Sequence, residues 1–121
     1  MYKTKTKLAV SNLAWPNNDE NFCLNFLHSA KVQGVEVAPL KAFRKPWDNI
    51  DFNVAKLYRN KIESHGLMIS SMQAITYNKK LTNKFCRINE NDFINHLTFI
   101  GELLKALGGV NAVFGSPNLR T

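Results

Sequence analysis

Short apolar runs alternate with amphipathic segments along this chain. The runs at residues 8–12, 35–38, 67–72 and 112–114 predict four β-strands. Between consecutive runs, apolar residues recur at helical spacing, which predicts three helices. The resulting order, β-α-β-α-β-α-β, is typical of right-handed βαβ units that build a parallel sheet.

The apolar positions of each amphipathic segment are expected to form the buried face of its helix. In the first helix, over residues 19–31, they are Phe22, Cys23, Phe26, Leu27 and Ala30. In the second helix they are Val54, Leu57, Tyr58 and Ile62. In the third helix, which begins near Asn91, they are Phe93, Leu97, Ile100, Leu104 and Leu107.

The connections between these elements differ in length. Each helix is expected to stop at a glycine, namely Gly34, Gly66 and Gly108. The connections from strand to helix are long, at residues 13–18, 40–53 and 73–90. Because α/β proteins place their sites in the loops that follow the strands, we expect a site at that edge. The chain has no glycine-rich phosphate-binding motif, which argues against a Rossmann or P-loop protein.

Composition places the chain among folded proteins. Its 121 residues suffice for one domain at most, and 45% of them are apolar. No apolar run reaches the roughly 18 residues that a membrane span needs. Lys and Arg number 16 against 9 acidic residues, but the cations are scattered, which favours a solvated surface over a nucleic-acid interface. Cys23 and Cys86 are too few for a disulfide scaffold, so we expect reduced thiols and a cytoplasmic protein.

Four phrases occur in order on or after the predicted strands: LAVSNLAW, GVEVAPLKAFRKPW, GLMISSMQAITY and AVFGSPNLR. With them the chain resembles the sugar phosphate isomerase/epimerase group, whose members have a xylose-isomerase-like TIM barrel. The resemblance runs from Lys7 to Arg120 and implies an α/β fold, a partial (β/α)8 TIM barrel with its first four parallel strands and three helices. A complete barrel needs roughly 250 residues. Residues 1–121 are therefore expected to form a single partial domain, the N-terminal half of the barrel.

The resemblance also implies a chemistry, which is metal-assisted proton transfer next to the carbonyl of a sugar or sugar phosphate. In that group the divalent-metal ligands and catalytic carboxylates lie mostly on later strands. We therefore assign no metal ligand and no catalytic residue to this chain, and expect it to supply substrate-binding residues. The isolated chain is expected to show no isomerase activity and to bind no divalent metal tightly.

Two alternatives stand beside this interpretation. The first is a truncated, non-catalytic half-barrel. The second, less favoured, is a fragment of an apurinic-endonuclease-like repair enzyme on the same fold. Its zinc cluster needs more histidines than this chain offers. We interpret His28, His65 and His96 as surface or packing residues.

Polar residues on or after the predicted strands are the first candidates for a substrate pocket. Glu36 lies between Val35 and Val37, and if these valines face the helices, its carboxylate faces the barrel interior. It would then either line the sugar pocket or tie neighbouring strands together. Asn12 and Gln73 lie at or just past strand ends, where their amides would bind sugar hydroxyls or satisfy loop backbone.

Loop residues complete the candidate set. Trp15 and Trp47 would stack on the C–H face of a sugar ring, or serve as large core residues. Lys41 and Arg120 would bind a phosphate group, or be ordinary surface cations. Ser116 lies in the glycine-serine-proline exit from the fourth strand, and it is a binding candidate and not a nucleophile because no triad pattern accompanies it.

The predicted arc of four strands leaves its first and last strands as open edges. Its inner face would also carry side chains that a closed barrel buries. We therefore expect the isolated chain to form a homodimer through these edges, or to aggregate.

Overall fold

The structure is a computed structural model that describes residues 7–82 and 87–115. Its strands, in chain order, are β1 (Ala9–Ser11), β2 (Gly34–Val37), β3 (Met68–Met72) and β4 (Asn111–Ala112). Its α-helices are α1 (Glu20–Ser29), α2 (Pro39–Ala42), α3 (Phe52–Ser64) and α4 (Glu90–Leu107). Two single turns of 3-10 helix, Asn12–Ala14 and Asn17–Asp19, connect β1 to α1.

The strands of the described residues form one parallel sheet in the order β1-β2-β3-β4. This confirms the predicted α/β class and the sequential strand order. The additional helix α2 is a single turn inside a connection that the sequence predicts as loop. It begins at Pro39, whose fixed φ angle suits the first position of a helix.

One face of the sheet carries the apolar core. Val35, Val37, Ile69 and Met72 are all buried and share a single cluster with residues of α1, α3 and α4. The helices therefore pack on this face, as the flanking valines of Glu36 predict. We call the opposite side of the sheet, to which Glu36 points between the buried Val35 and Val37, the open face.

The pairing of β2 with β3 contains an irregularity on the open face. Val35 pairs with Ile69, and Glu36 pairs with Ser71, so Ser70 is the extra residue of a β-bulge. Glu36 also pairs with Ser11 of β1. The register thus places Ser11, Glu36 and Ser71 side by side on three neighbouring strands.

The predicted buried faces of α1 and α3 are correct in part, since Leu27 and Ile62 are buried as expected. In α1 the buried side chains are Glu20, Leu24 and Leu27, whereas Phe22 and Phe26 are 73% and 61% exposed. In α3 the buried side chains are Ala55 and Ile62, whereas Val54 and Leu57 are exposed. Both helices carry apolar residues around much of their circumference, so spacing alone does not decide which stripe meets the sheet.

The predicted face of α4 is correct in part. Ile100 and Leu107 are buried as expected, but Leu97 is exposed. The remaining buried side chains of α4, which the apolar spacing does not single out, are His96, Leu103 and Ala106.

Two of the three predicted glycine stops are confirmed. Gly66 and Gly108 follow α3 and α4 with φ angles of 79° and 76°, a left-handed conformation that glycine adopts without strain. A side chain at Gly66 would also strike the ring of His28. The prediction for Gly34 is wrong, because α1 ends at Ser29 and Gly34 is the first residue of β2. There it lies close to strand neighbours on both sides.

Candidate functional site

A polar cluster crosses the open face of the sheet close to the carboxyl ends of β1, β2 and β3. Its members, which we call the open-face cluster, are Ser11, Glu36, Ser70, Ser71 and Gln73, and all are half-buried. The Ser71 hydroxyl donates to Glu36 Oε2 at 2.7 Å. The Ser70 and Ser71 hydroxyls lie 3.3 Å apart. Gln73 Nε2 donates to the Ser11 hydroxyl, so the cluster links three strands.

The open-face cluster offers both donors and acceptors to a polar ligand. Among the described residues Glu36 accepts one hydrogen bond, from Ser71, so its Oε1 is available to a ligand hydroxyl. The Gln73 side chain keeps its carbonyl oxygen and a second N–H. Such a combination of carboxylate, amide and hydroxyl groups suits a polyol better than an apolar ligand. The structure brings the candidates Glu36 and Gln73 together on one face.

Asn12, a third candidate, is oriented differently. Its side chain is fully buried, and its amide pairs with the backbone of Ala38. Asn12 Oδ1 accepts from the Ala38 N–H at 2.9 Å, and Nδ2 donates to the Ala38 carbonyl at 3.3 Å. Asn12 therefore joins the chain after β1 to the chain after β2, which is the backbone role that the sequence left open.

Trp15 is a core residue, and its indole N–H takes part in a small network of buried polar side chains. It is 4% exposed, and its indole N–H donates to Glu20 Oε2 at 3.1 Å. Glu20 Oε1 forms an ion pair with Lys61 at 2.9 Å. Burial raises the pKa of the neighbouring Tyr58, the Glu20 carboxylate raises it further, and the Asn12 amide opposes them. This group explains why α1 buries Glu20 and turns its phenylalanines outward.

Trp47 lies against α4 and lines a cavity. Its indole N–H donates to the carbonyl of Tyr77 at 2.8 Å, and its ring meets His96 edge-on at 4.8 Å between centroids. The adjoining cavity, which we call the Trp47 cavity, has a volume of about 350 Å³. A second cavity of about 630 Å³ lies between α3 and α4. Neither of these two cavities is lined by a member of the open-face cluster.

Of the three remaining candidates, Lys41, Ser116 and Arg120, the structure describes Lys41. Lys41 is half-buried on α2 and has no ion pair within 4 Å among the described side chains. Ser116 and Arg120 lie outside the described residues.

The sequence gives His96 a surface or packing role, and the structure specifies which. The ring is 4% exposed and bonds through Nε2 to the Ile75 carbonyl. Because a carbonyl only accepts, Nε2 carries the proton of the neutral ring. Burial lowers the pKa of His96, nearby Lys79 lowers it further, and the bond to Ile75 opposes both. Its spacing of four residues from Ile100 is the one sequence signal for its burial.

This shift predicts acid destabilisation through His96. Because the folded pKa lies below the unfolded value, the neutral ring stabilises the fold above about pH 6.5. That contribution is lost as the pH falls through the folded pKa, by at most about 1.4 kcal/mol per pH unit for one proton. Urea unfolding at pH 7.5 and 5.0 should therefore show a larger acid loss for the native chain than for His96→Gln. Equal losses in both proteins would contradict the prediction.

The described residues do not fit the divalent ion that the resemblance implies. Glu36 is the one carboxylate of the open-face cluster. In residues 7–82 and 87–115, no group of three or more His, Cys, Asp or Glu side chains is placed to hold a metal ion. A hard divalent cation takes six or more oxygen ligands, of which carboxylates are the usual protein donors. We therefore derive no catalytic step through a metal.

Comparisons with protein-family models, with curated proteins and with solved structures give no match for this chain. In the part of the chain that the structure describes, no helix combines the length and the apolar character required to cross a membrane.

Proposed function

We propose that this chain supplies substrate-binding strands to a sugar or sugar phosphate isomerase/epimerase-like barrel. The observation that carries the proposal is the position of the open-face cluster. It lies on the face away from the helices, near the carboxyl ends of parallel strands in sequential order. In a barrel of such strands that face is the interior, and the following loops surround the ligand.

Each polar side chain has a role in this proposal. Glu36 accepts a hydrogen bond from a sugar hydroxyl, and Ser71 fixes its carboxylate by donating to Oε2. Gln73 binds a second hydroxyl while Ser11 holds its amide group. The resemblance of the four strand phrases to the isomerase/epimerase group supports the same ligand class. Proton transfer itself would need groups beyond this cluster, which has a single carboxylate.

A titration of the full chain tests the binding role. We expect xylose or fructose 6-phosphate to shift the backbone amide signals of Ser71 and Gln73 in ¹H–¹⁵N spectra in a saturable way. Glu36→Gln should weaken this binding about tenfold or more, because a hydrogen bond to a charged acceptor contributes about 1.5–3 kcal/mol. The sugar with and without phosphate shows which form the face prefers.

The matched control is Glu63→Gln, which neutralises a glutamate on α3 that pairs with Arg59 away from the sheet. It should bind the sugars as the native chain does. Unfolding curves in urea should show that Glu36→Gln is folded. Binding that is unchanged in Glu36→Gln, or signals that move only away from the open face, would refute the proposal.

Assembly and location belong to the same proposal. Strands β1 and β4 lie at the two edges of the described sheet, so each has a side without a strand partner there. A homodimer that pairs these edges would extend the sheet, and sedimentation velocity over a range of concentrations detects it. A chain that stays monomeric at every concentration would contradict the proposed homodimer. A cytoplasmic location agrees with Cys23, which is a free thiol, and cell fractionation tests it.

A further inference from the structure

The Trp47 cavity is built by three separate segments of the chain. Trp47 comes from the connection between β2 and α3, and Lys79 and Lys80 come from the connection between β3 and α4. The remaining lining residues are Asp92, Asn95, His96 and Phe99. Because these four residues are spaced by three, one and three positions along α4, they lie on one side of that helix. The cavity therefore opens beside the edge of the sheet where the strands end.

The aromatic wall of this cavity is held in place from several sides. Trp47 is fixed by its hydrogen bond to the Tyr77 carbonyl and by edge contacts to His96 and Phe99. His96 is fixed by its bond to Ile75. Phe99 stacks in addition on Phe52, with 5.8 Å between ring centroids. A wall of this kind offers a preorganised apolar surface to a ligand, so little ordering has to accompany binding.

Three of the other lining residues are charged. Lys79 and Lys80 provide two ammonium groups against the single carboxylate of Asp92. Among the described side chains none of the three takes part in an ion pair within 4 Å. The neutral ring of His96 adds no charge at pH 7. The lining therefore carries a net positive charge, and Asp92 and Asn95 add hydrogen-bond acceptors.

We propose that the Trp47 cavity binds a small phosphate monoester that carries hydroxyl groups. The phosphate lies between Lys79 and Lys80, whose ammonium groups form charge-assisted hydrogen bonds with it. Hydroxyl groups donate to Asp92 and Asn95, and the carbon skeleton packs on Trp47. A volume of about 350 Å³ accommodates a molecule of this size. The cavity shares no residue with the open-face cluster, so the proposal does not depend on the function proposed for that cluster.

The two tryptophans provide a direct measurement on the full chain. Trp47 lines the cavity, whereas Trp15 is buried against Glu20 and serves as an internal reference. We expect ribose 5-phosphate to shift the Trp47 indole N–H signal in ¹H–¹⁵N spectra in a saturable way and to leave the Trp15 signal in place. Ribose without phosphate should bind at least about tenfold more weakly, because it lacks the charge-assisted hydrogen bonds.

Substitutions separate the role of the two lysines from the role of Asp92. The double variant Lys79→Gln/Lys80→Gln should weaken ribose 5-phosphate binding at least about tenfold. Its control, Lys56→Gln on α3, removes a lysine of the other cavity and should bind as the native chain does. Asp92→Asn should strengthen the binding of inorganic phosphate by removing a repelling charge. The same substitution should strengthen the binding of ribose 5-phosphate less, because the hydroxyl groups of that ligand lose a charged acceptor.

Three results would overturn this proposal. The first is a Trp47 signal that ribose 5-phosphate does not move. The second is equal affinity of the native chain and the Lys79→Gln/Lys80→Gln variant. The third is binding that Glu36→Gln removes while the lysine variant retains it, which would place the ligand on the open face. If the native chain binds no sugar at the open face while Trp47 still responds to ribose 5-phosphate, the proposed function alone is refuted.

Discussion

Replacing Asn12 by alanine is expected to lower the free energy of unfolding by about 1–3 kcal/mol, since the buried N–H of Ala38 loses its partner. The Asn12 side chain is fully buried and forms both of its hydrogen bonds with Ala38. Alanine at this position leaves the Ala38 N–H unpaired next to the core, and it leaves a small void. The Ala38 carbonyl keeps the hydrogen bonds that it accepts from the N–H groups of Lys41 and Ala42. Urea unfolding followed by circular dichroism measures the change.

Two further variants test the cause of this effect. Asn12→Asp retains an acceptor for the Ala38 N–H but loses the donor to the Ala38 carbonyl, and it places a charge in the interior. It should therefore also destabilise the fold clearly. Asn25→Ala, on the exposed side of α1, should change the free energy of unfolding by less than about 0.5 kcal/mol. An Asn12→Ala protein as stable as Asn25→Ala would show that the amide does not hold these two segments together.

The same residue connects the fold to the candidate site. Asn12 directly follows Ser11, and Ala38 lies two residues beyond Glu36. Its two hydrogen bonds therefore fix the spacing of two strands at the point where both contribute to the open-face cluster. Sugar binding in the Asn12 variants should weaken together with their stability, whereas Glu36→Gln should affect binding far more than stability.

The sheet was predictable from the sequence because its signal is local. Alternation along β2 places Val35 and Val37 on one face and Glu36 on the other, and the structure has this arrangement. The sequential order of the strands was predicted from the resemblance to a TIM barrel, because a doubly wound sheet has the same alternation of runs and helices with a different strand order. The bulge at Ser70 left no comparable signal, since it depends on how β3 aligns with its neighbour.

The roles of the polar candidates depended on distant partners. An amide at a strand end suits a ligand and a neighbouring backbone equally well, and the position of Ala38 decides between them for Asn12. For Trp15, the carboxylate of Glu20 holds the indole in the core. Trp47 lies between two loops and α4, an arrangement that no local pattern encodes. The roles of these three residues can therefore be assigned only from the tertiary structure.

The second large effect concerns the buried face of α1, where sequence and structure disagree. Leu24→Ala should lower the free energy of unfolding by about 2–5 kcal/mol, the range for truncating a buried leucine. Leu24 has no exposed surface and belongs to the cluster that joins the helices to the sheet. Helical spacing alone instead favours Phe26, which the structure leaves 61% exposed.

Phe26→Ala on the same helix is the matched control, and it should change the free energy of unfolding by less than about 0.5 kcal/mol. It removes a larger side chain, so an effect governed by size alone would exceed that of Leu24→Ala. Both variants place alanine within α1, and leucine and phenylalanine differ in helix propensity by less than about 0.7 kcal/mol, so the comparison depends mainly on packing. A large loss for Phe26→Ala with a small one for Leu24→Ala would show that α1 is rotated about its axis relative to the sheet. The ion pair of Glu20 with Lys61 would then lack its present geometry, because Glu20 and Leu24 share one face of the helix.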